Sequence, residues 1–202
     1  MMKSLIRRVL LAAAGITLMA CSNNQSAIET YYYALGADDL AVSAIDNQGQ
    51  GTLVVKPVEL SDYLNSSGVV MQMTDNQIHI AEQHLWAGNL NQQLDSLGQE
   101  ALTLHLPQWS IIESTDFYPN EGDKYWILAI NVNRFQGRLE GSAVVSGRWS
   151  LVNPDGVVVK DELFNHQLNI PRGDYSDLVE KLKQNWLNLH RAIAQQVVNS
   201  SK

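Results

Sequence analysis

The residue with the clearest chemical assignment is the one cysteine, Cys21, which closes the stretch Leu18-Met19-Ala20-Cys21. Lys3, Arg7 and Arg8 form a positive leader, and Val9 to Ala20 is apolar apart from a glycine and a threonine. This is the layout of a bacterial lipobox. The thiol of Cys21 is presented to a lipid donor, small Ala20 fits a peptidase that cuts before Cys21, and the mature N-terminus is an N-palmitoyl, S-diacylglycerol cysteine. The other reactive side chains form no such pattern. His79, His84, His105, His166 and His190 are scattered along the chain, and Glu82 with His84 is the closest acid–histidine pair. Two residues apart on a strand gives only a shared face, so no metal-ligand set follows. Lys56 and Asp62 have no neighbour that would make them an acid–base pair. Nucleophile-elbow, phosphate-loop, zinc-helix and dinucleotide fingerprints are all missing. The sequence therefore predicts a chain that is not an enzyme, with no catalytic residue, cofactor or metal.

The leader also fixes where the protein goes. Twelve apolar residues in a helix span about 18 Å, short of the roughly 30 Å of a bilayer core, so residues 1–20 read as a cleaved signal peptide. Ser22, rather than aspartate, follows Cys21. By the sorting rule for Gram-negative lipoproteins this directs the anchor to the outer membrane, facing the periplasm. Residues 21–30 are the lipidated N-terminus and a short tether, and residues 31–202 are a single periplasmic domain. The nine polar or small residues from Ser22 to Thr30 reach at most about 30 Å. The folded domain must therefore hang close beneath its membrane.

The whole chain carries 14 Lys+Arg against 21 Asp+Glu over 202 residues. Removing the three leader cations leaves 11 − 21 = −10. Such a surface has no use for the nucleic-acid backbone and gains nothing from anionic headgroups, so attachment rests on the acyl chains, at about 0.8 kcal/mol per buried methylene. One cysteine excludes a disulfide framework, and 45% hydrophobic residues suffice for a packed core.

The elements that must carry this domain can be read from periodicity. Tyr31 to Leu35 reads as a first strand, and Thr52 to Leu60 as a second region interrupted by Pro57. Gly68 to Thr74 and Gln77 to Gln83 alternate around Asp75-Asn76, which predicts a hairpin. Asn89 to Leu106 is helical, with Leu90, Leu94, Leu97, Ala101 and Leu104 on one stripe; Asn89 or Asn91 caps it, Pro107 stops it, and Gly98 sits awkwardly inside. Lys124 to Phe135, Leu139 to Val152 and Val157 to Ile170 form an antiparallel meander, turning at Asn153-Pro154-Asp155-Gly156. A last helix follows Asp174 or Ser176, with Leu178, Leu182, Trp186, Leu189, Ile193 and Val197 inward. Arg172-Gly173-Asp174 is then a loop ending in a helix cap. The expected fold is α+β: a largely antiparallel sheet with two amphipathic helices packed on one face. Trp86, at the end of the hairpin, is either a plug between sheet and helix or an interface anchor.

Several segments, in order, carry a resemblance: Asp62-Tyr63-Leu64, Gly68-Val69-Val70, Leu85-Trp86-Ala87, Leu90-Asn91-Gln92-Gln93-Leu94, Asn133-Arg134-Phe135-Gln136-Gly137 and Val144-Val145-Ser146-Gly147-Arg148-Trp149. Together they resemble the ABC-type transport auxiliary lipoprotein family, in particular the lipoproteins of paraquat-inducible (Pqi-type) intermembrane transport systems. The resemblance implies an outer-membrane lipoprotein that anchors or receives a periplasm-spanning tunnel of MCE-domain protein, and through it an inner-membrane component. It further implies a ring-like homo-oligomer, lipid transport between the membranes and support of envelope integrity. The alternative is a free-standing, periplasm-facing lipoprotein that binds lipid itself.

Overall fold

The computed structural model describes residues 29–36, 40–46, 49–171 and 173–201. The signal peptide, Cys21, most of the tether and Arg172 lie outside the described residues. Nine strands and two α-helices follow in order: β1 Tyr31–Tyr33, β2 Gly51–Val55, β3 Glu59–Leu60, a 3-10 turn Asp62–Asn65, β4 Gly68–Thr74, β5 Gln77–Trp86, α1 Leu90–His105, β6 Trp109–Glu113, β7 Trp126–Arg138, β8 Ser142–Val152, β9 Val158–Asn169 and α2 Tyr175–Ser200.

The meander is the longest part of the sheet. β7 pairs antiparallel with β8 from Ile127↔Val152 to Arg138↔Ser142, and β8 with β9 from Ser142↔Asn169 to Val152↔Val158. Along β7, Trp126, Leu128, Ile130 and Val132 are buried while Ile127, Ala129 and Asn131 are only half-buried, as two-residue alternation requires. The other edge of β7 is filled piecemeal by parallel partners. β2 pairs at Leu53↔Trp126, β3 at Leu60↔Val132 and β4 at Met71↔Gly137. Pro57, which has no N–H to give a ladder, falls in the gap between β2 and β3. β4 and β5 form the expected hairpin around Asp75-Asn76, though β5 runs on to Trp86.

The sheet is thus mixed: three antiparallel ladders, two of them running the length of the meander, and five short parallel ones. Several boundaries differ from those that periodicity predicts, β7 among them, which starts at Trp126 rather than Lys124 and runs on past Phe135 to Arg138. The first strand stops at Tyr33. The start of β8 moves from Leu139 to Ser142, because Leu139 to Gly141 turn the chain with Gly141 at φ 91°. β6, which the sequence reading left unassigned, pairs parallel with β2 from Gly51↔Trp109 to Val55↔Glu113.

Both helices begin on side-chain caps. Asn89 Oδ1 accepts from Asn91 N–H at 2.9 Å, and Asp174 Oδ1 accepts from Asp177 N–H at 2.7 Å, each replacing a partner that the first helical turn lacks. Their apolar stripes close the core over the sheet, with Leu94, Leu97, Leu182, Trp186, Leu189, Ile193 and Val197 essentially fully buried; Leu104, expected on the α1 stripe, is instead exposed and Leu102 takes the inward place. Two polar bonds fix their placement. Trp186 Nε1–H donates to the Leu94 carbonyl at 3.1 Å, joining α2 to α1, and buried Asn185 donates from Nδ2 to the Ala143 carbonyl at 3.0 Å, joining α2 to β8.

Gly98 has its explanation here. A methyl group at that position would lie 2.4 Å from His190 Nε2, so the missing side chain is the space that the imidazole occupies. The loss of helix propensity, about 1 kcal/mol, is accepted where the two helices meet closely. His190 Nδ1–H donates to the Trp186 carbonyl at 2.9 Å, and the ring stands tilted on the Trp186 ring at 4.5 Å between centroids. Burial lowers its pKa from 6.5 to about 4, because the charged form cannot be solvated there. The folded state therefore keeps His190 neutral while the unfolded chain takes up the proton. Stability contributed at neutral pH is lost as the pH falls from about 6.5 towards 4, and by that point amounts to about 3 kcal/mol. His105, lowered mainly by burial, acts in the same direction. Urea unfolding at pH 7, 6, 5 and 4 should show this decline, and His190→Gln should flatten it. An unchanged acid dependence in the variant would show that His190 titrates freely.

Candidate functional site

The first described strand is where the expected tether would join the domain, so its attachment is the site of mechanical interest. β1 has three residues and pairs parallel with the end of β5, Tyr31 opposite His84 and Tyr33 opposite Trp86. Three ladder positions hold weakly, and aromatic contacts supplement them. The His84 ring lies between two tyrosines: Tyr31 at 5.3 Å and Tyr175 at 3.8 Å between centroids, each within 9° of parallel. The Tyr33 hydroxyl is 2.8 Å from His84 Nδ1. The cluster therefore ties together the strand that follows the tether, the end of β5 and the first residue of α2. Burial raises the Tyr33 and Tyr175 pKa values, with Asp174 adding to the rise at Tyr33, so both stay neutral donors. The hydroxyl of Tyr31 donates to Glu29 at 2.8 Å, and this bond raises its pKa.

The residues singled out from the sequence lie apart from one another. Cys21 is outside the described residues. Trp86 is only 3% exposed and packs tilted against Phe135 at 5.9 Å. Such a buried ring is core packing and offers no surface to a partner in the single chain. His79 is exposed on the hairpin, His105 is buried with Nδ1 2.9 Å from the Ser43 carbonyl, and His166 is half-buried beside Phe164. His84 leaves Glu82 exposed and enters the tyrosine stack instead. Among the described residues no three His, Cys, Asp or Glu side chains converge as metal ligands. The Glu82–His84 spacing gave no sign of the stack, because Tyr31 and Tyr175 lie 53 positions before and 91 positions after His84 in the chain.

The segments that carried the resemblance do converge, and they build the core. The Tyr63 hydroxyl lies 2.6 Å from the Asn133 carbonyl and 2.9 Å from Gln136 Oε1, and Gln136 Nε2 donates to Gln72 Oε1 at 2.9 Å. Phe135, between Asn133 and Gly137, receives Trp86. At Gly147 a methyl group would sit 1.9 Å from the Asn131 carbonyl and 2.9 Å from the Phe164 ring, so this position admits glycine alone. On the helix side, Asp95 Oδ1 accepts from Val58 N–H at 2.7 Å, and Asn91 donates to the Val58 carbonyl, clasping α1 to the link between β2 and β3.

With these contacts placed, residues 33–194 match the family described as ABC-type transport auxiliary lipoprotein component. The chain belongs to that family. It is 31% identical over 192 residues to the intermembrane transport lipoprotein PqiC of Escherichia coli strain K12, covering 95% of this chain and 98% of the relative, and matches PqiC of Shigella flexneri to the same extent. A crystal structure of an uncharacterised protein superposes with a TM-score of 0.68 at 28% identity, over 84% of this chain and 99% of that one. A Xanthomonas campestris protein shares the fold, with a TM-score of 0.69 at 15% identity over 83% of this chain and 95% of its own. The match to the family thus spans β5, the meander, α1 and α2 as far as Ala194. Tyr33, His84 and Tyr175 lie within it.

If the tyrosine stack holds the tether strand in place, removing its centre should loosen that strand first. His84→Ala loses ring contacts with Tyr31, Tyr33 and Tyr175, each worth about 0.5–1.5 kcal/mol, and the hydrogen bond to the Tyr33 hydroxyl. The Ala87 amide, which donates to the Tyr33 carbonyl at 2.7 Å, should then exchange hydrogen about tenfold faster or more, while the amides of β8 keep their protection. Unchanged exchange at Ala87 would mean that ladder pairing alone holds β1.

Proposed function

We propose that the chain is the outer-membrane lipoprotein of a Pqi-type intermembrane lipid-transport system. Cys21 is acylated and anchors it, residues 1–20 are removed, and residues 31–202 hang as one domain below the membrane. There it anchors or receives the distal end of a periplasm-spanning MCE-domain tunnel as a ring-like homo-oligomer, and the system supports envelope integrity. The work is docking rather than catalysis. The observation that carries this reading is the near full-length likeness to the intermembrane transport lipoprotein PqiC, with the chain's one cysteine standing at the lipobox position.

The lipobox and the short tether support the same reading. With at most about 30 Å between anchor and fold, the domain cannot carry lipid across the periplasm alone, so a second component must span it. Two results are expected. Cys21→Ala should leave the membrane fraction for the soluble periplasm with its melting temperature unchanged, since the tether contributes nothing to the core. The full-length protein, affinity-purified from mildly solubilised membranes, should bring down an MCE-domain protein in a salt-resistant complex. A Cys21→Ala protein that stays with the membranes contradicts the anchor. Lipoprotein recovered alone, from cells shown to express the tunnel protein, contradicts the docking role.

A further inference from the structure

The strand directions give the sheet two unlike ends. β1 runs parallel to β5, β5 runs back against β4, and β4 runs parallel to β7 with Met71 opposite Gly137. The chain that precedes Tyr31 therefore leads towards the end where β7 turns into β8 at Leu139 to Gly141. The opposite end is where β7 starts at Trp126. It holds the turn joining β8 to β9 and the loop 114–125, whose Phe117 meets Tyr125 edge-on at 4.6 Å. Eleven residues of β8 separate the two ends by about 36 Å.

The far end carries exposed apolar side chains beside its polar Asn153-Pro154-Asp155-Gly156 turn. Tyr118 is 84% exposed, and Val157 and Val158 are 56% and 57% exposed. Val158 also continues a row across the sheet with Val152 and Ile127, both half-buried. Isolated exposed valines are unremarkable, but apolar side chains grouped at one end of a soluble domain mark a contact surface. The rim is acidic. Asp116, Glu121, Asp123 and Asp155 stand against Lys124 and Lys160, and Lys160 is already held by Glu162 at 2.5 Å. An apolar centre with a charged rim is the anatomy of a protein–protein contact.

We infer that this far end, at Tyr118, Val157 and Val158, is the docking surface for a periplasmic protein whose own contact patch is apolar at the centre and basic at the rim, with the tether end facing the membrane. The inference rests on the proposed reading of an anchored lipoprotein with a periplasm-spanning partner. Tether length supports the polarity, because bringing the far end to the membrane would require about 30 Å of chain to double back along most of the sheet. Charge supports the choice of partner, since an acidic rim is repelled by anionic headgroups and attracted by a basic patch.

Two measurements on the full-length lipoprotein test it. In vesicles containing brominated phospholipid, a tryptophan introduced at Leu139 on the tether end should be quenched, and one at Val157 should not. The five native tryptophans are all buried and leave the probe readable. Quenching at Val157 would overturn the polarity. In cells expressing the tunnel partner, Tyr118→Asp with Val157→Asp should lower its co-purification at least tenfold with membrane attachment and melting temperature unchanged, while Leu139→Asp should keep it. Full recovery by the double variant would overturn the docking surface. Failure of the unsubstituted protein to bring down any tunnel partner would instead overturn the proposed function and the docking surface with it, while the quenching result still decides which end meets the membrane.

Discussion

A thirteen-residue strand buried at the middle of a sheet has backbone donors and acceptors on both edges, and nearly all of them must find partners because no water reaches them. In β7 one edge is met by β8 in a single ladder, and the other by three separate parallel strands drawn from residues 51–74. That demand determines much of what surrounds it. The segment from Gly51 to Thr74 must run alongside β7, so Pro57 and the Asp62–Asn65 turn fall between its paired pieces rather than within them. The hairpin of β4 and β5 is carried outward from β7, and β5 in turn offers its end to β1. The strand that follows the tether is thereby two strands removed from β7.

The helices close the opposite layer through contacts that trade local preference for close approach. Gly98 weakens α1 as an isolated helix, yet it admits the His190 ring, and the neutral imidazole then sits where charge would not be tolerated. The Trp186 and Asn185 side chains anchor α2 to a helix carbonyl on one side and a strand carbonyl on the other. A core assembled this way is sensitive to acid through its buried histidines, which is a property of packing and not of a reactive site. The segments that carried the resemblance serve the same end, since Gln136, Trp86, Phe135 and Gly147 lie in the interior and half-buried Tyr63 is hydrogen-bonded to Gln136.

Much of this was legible from periodicity. Alternation in Trp126–Val132 and Ala143–Leu151, the turn at Asn153-Pro154-Asp155-Gly156, the hairpin at Asp75-Asn76 and both helix stripes follow from side-chain spacing alone, because each is a local pattern against one core. The parallel pairings are different. Alternation tells which face of β2 is inward but carries no information on which neighbour it meets or in which direction, and five residues of β6 after Pro107 are too few to announce a strand. The role of Gly98 depends on a residue 92 positions away, and the tyrosine stack around His84 on two rings from opposite ends of the domain. Trp86 shows the remaining ambiguity: a tryptophan at a strand end suits a plug and an interface equally until the ring beneath it is known.

The functional account joins a fold with a protected interior and no assembled reactive cluster among its described residues to an attachment at one corner. In the proposed function the domain works by position, with the membrane holding one end and the other facing away. The proposed anchoring requires a lipid on Cys21, and intact-mass measurement of the protein extracted from membranes tests it directly. The account predicts a chain that begins at Cys21 and carries a diacylglyceryl group on sulfur and a palmitoyl group on nitrogen. A chain that retains residues 1–20, or begins at Cys21 with a free thiol, would contradict it.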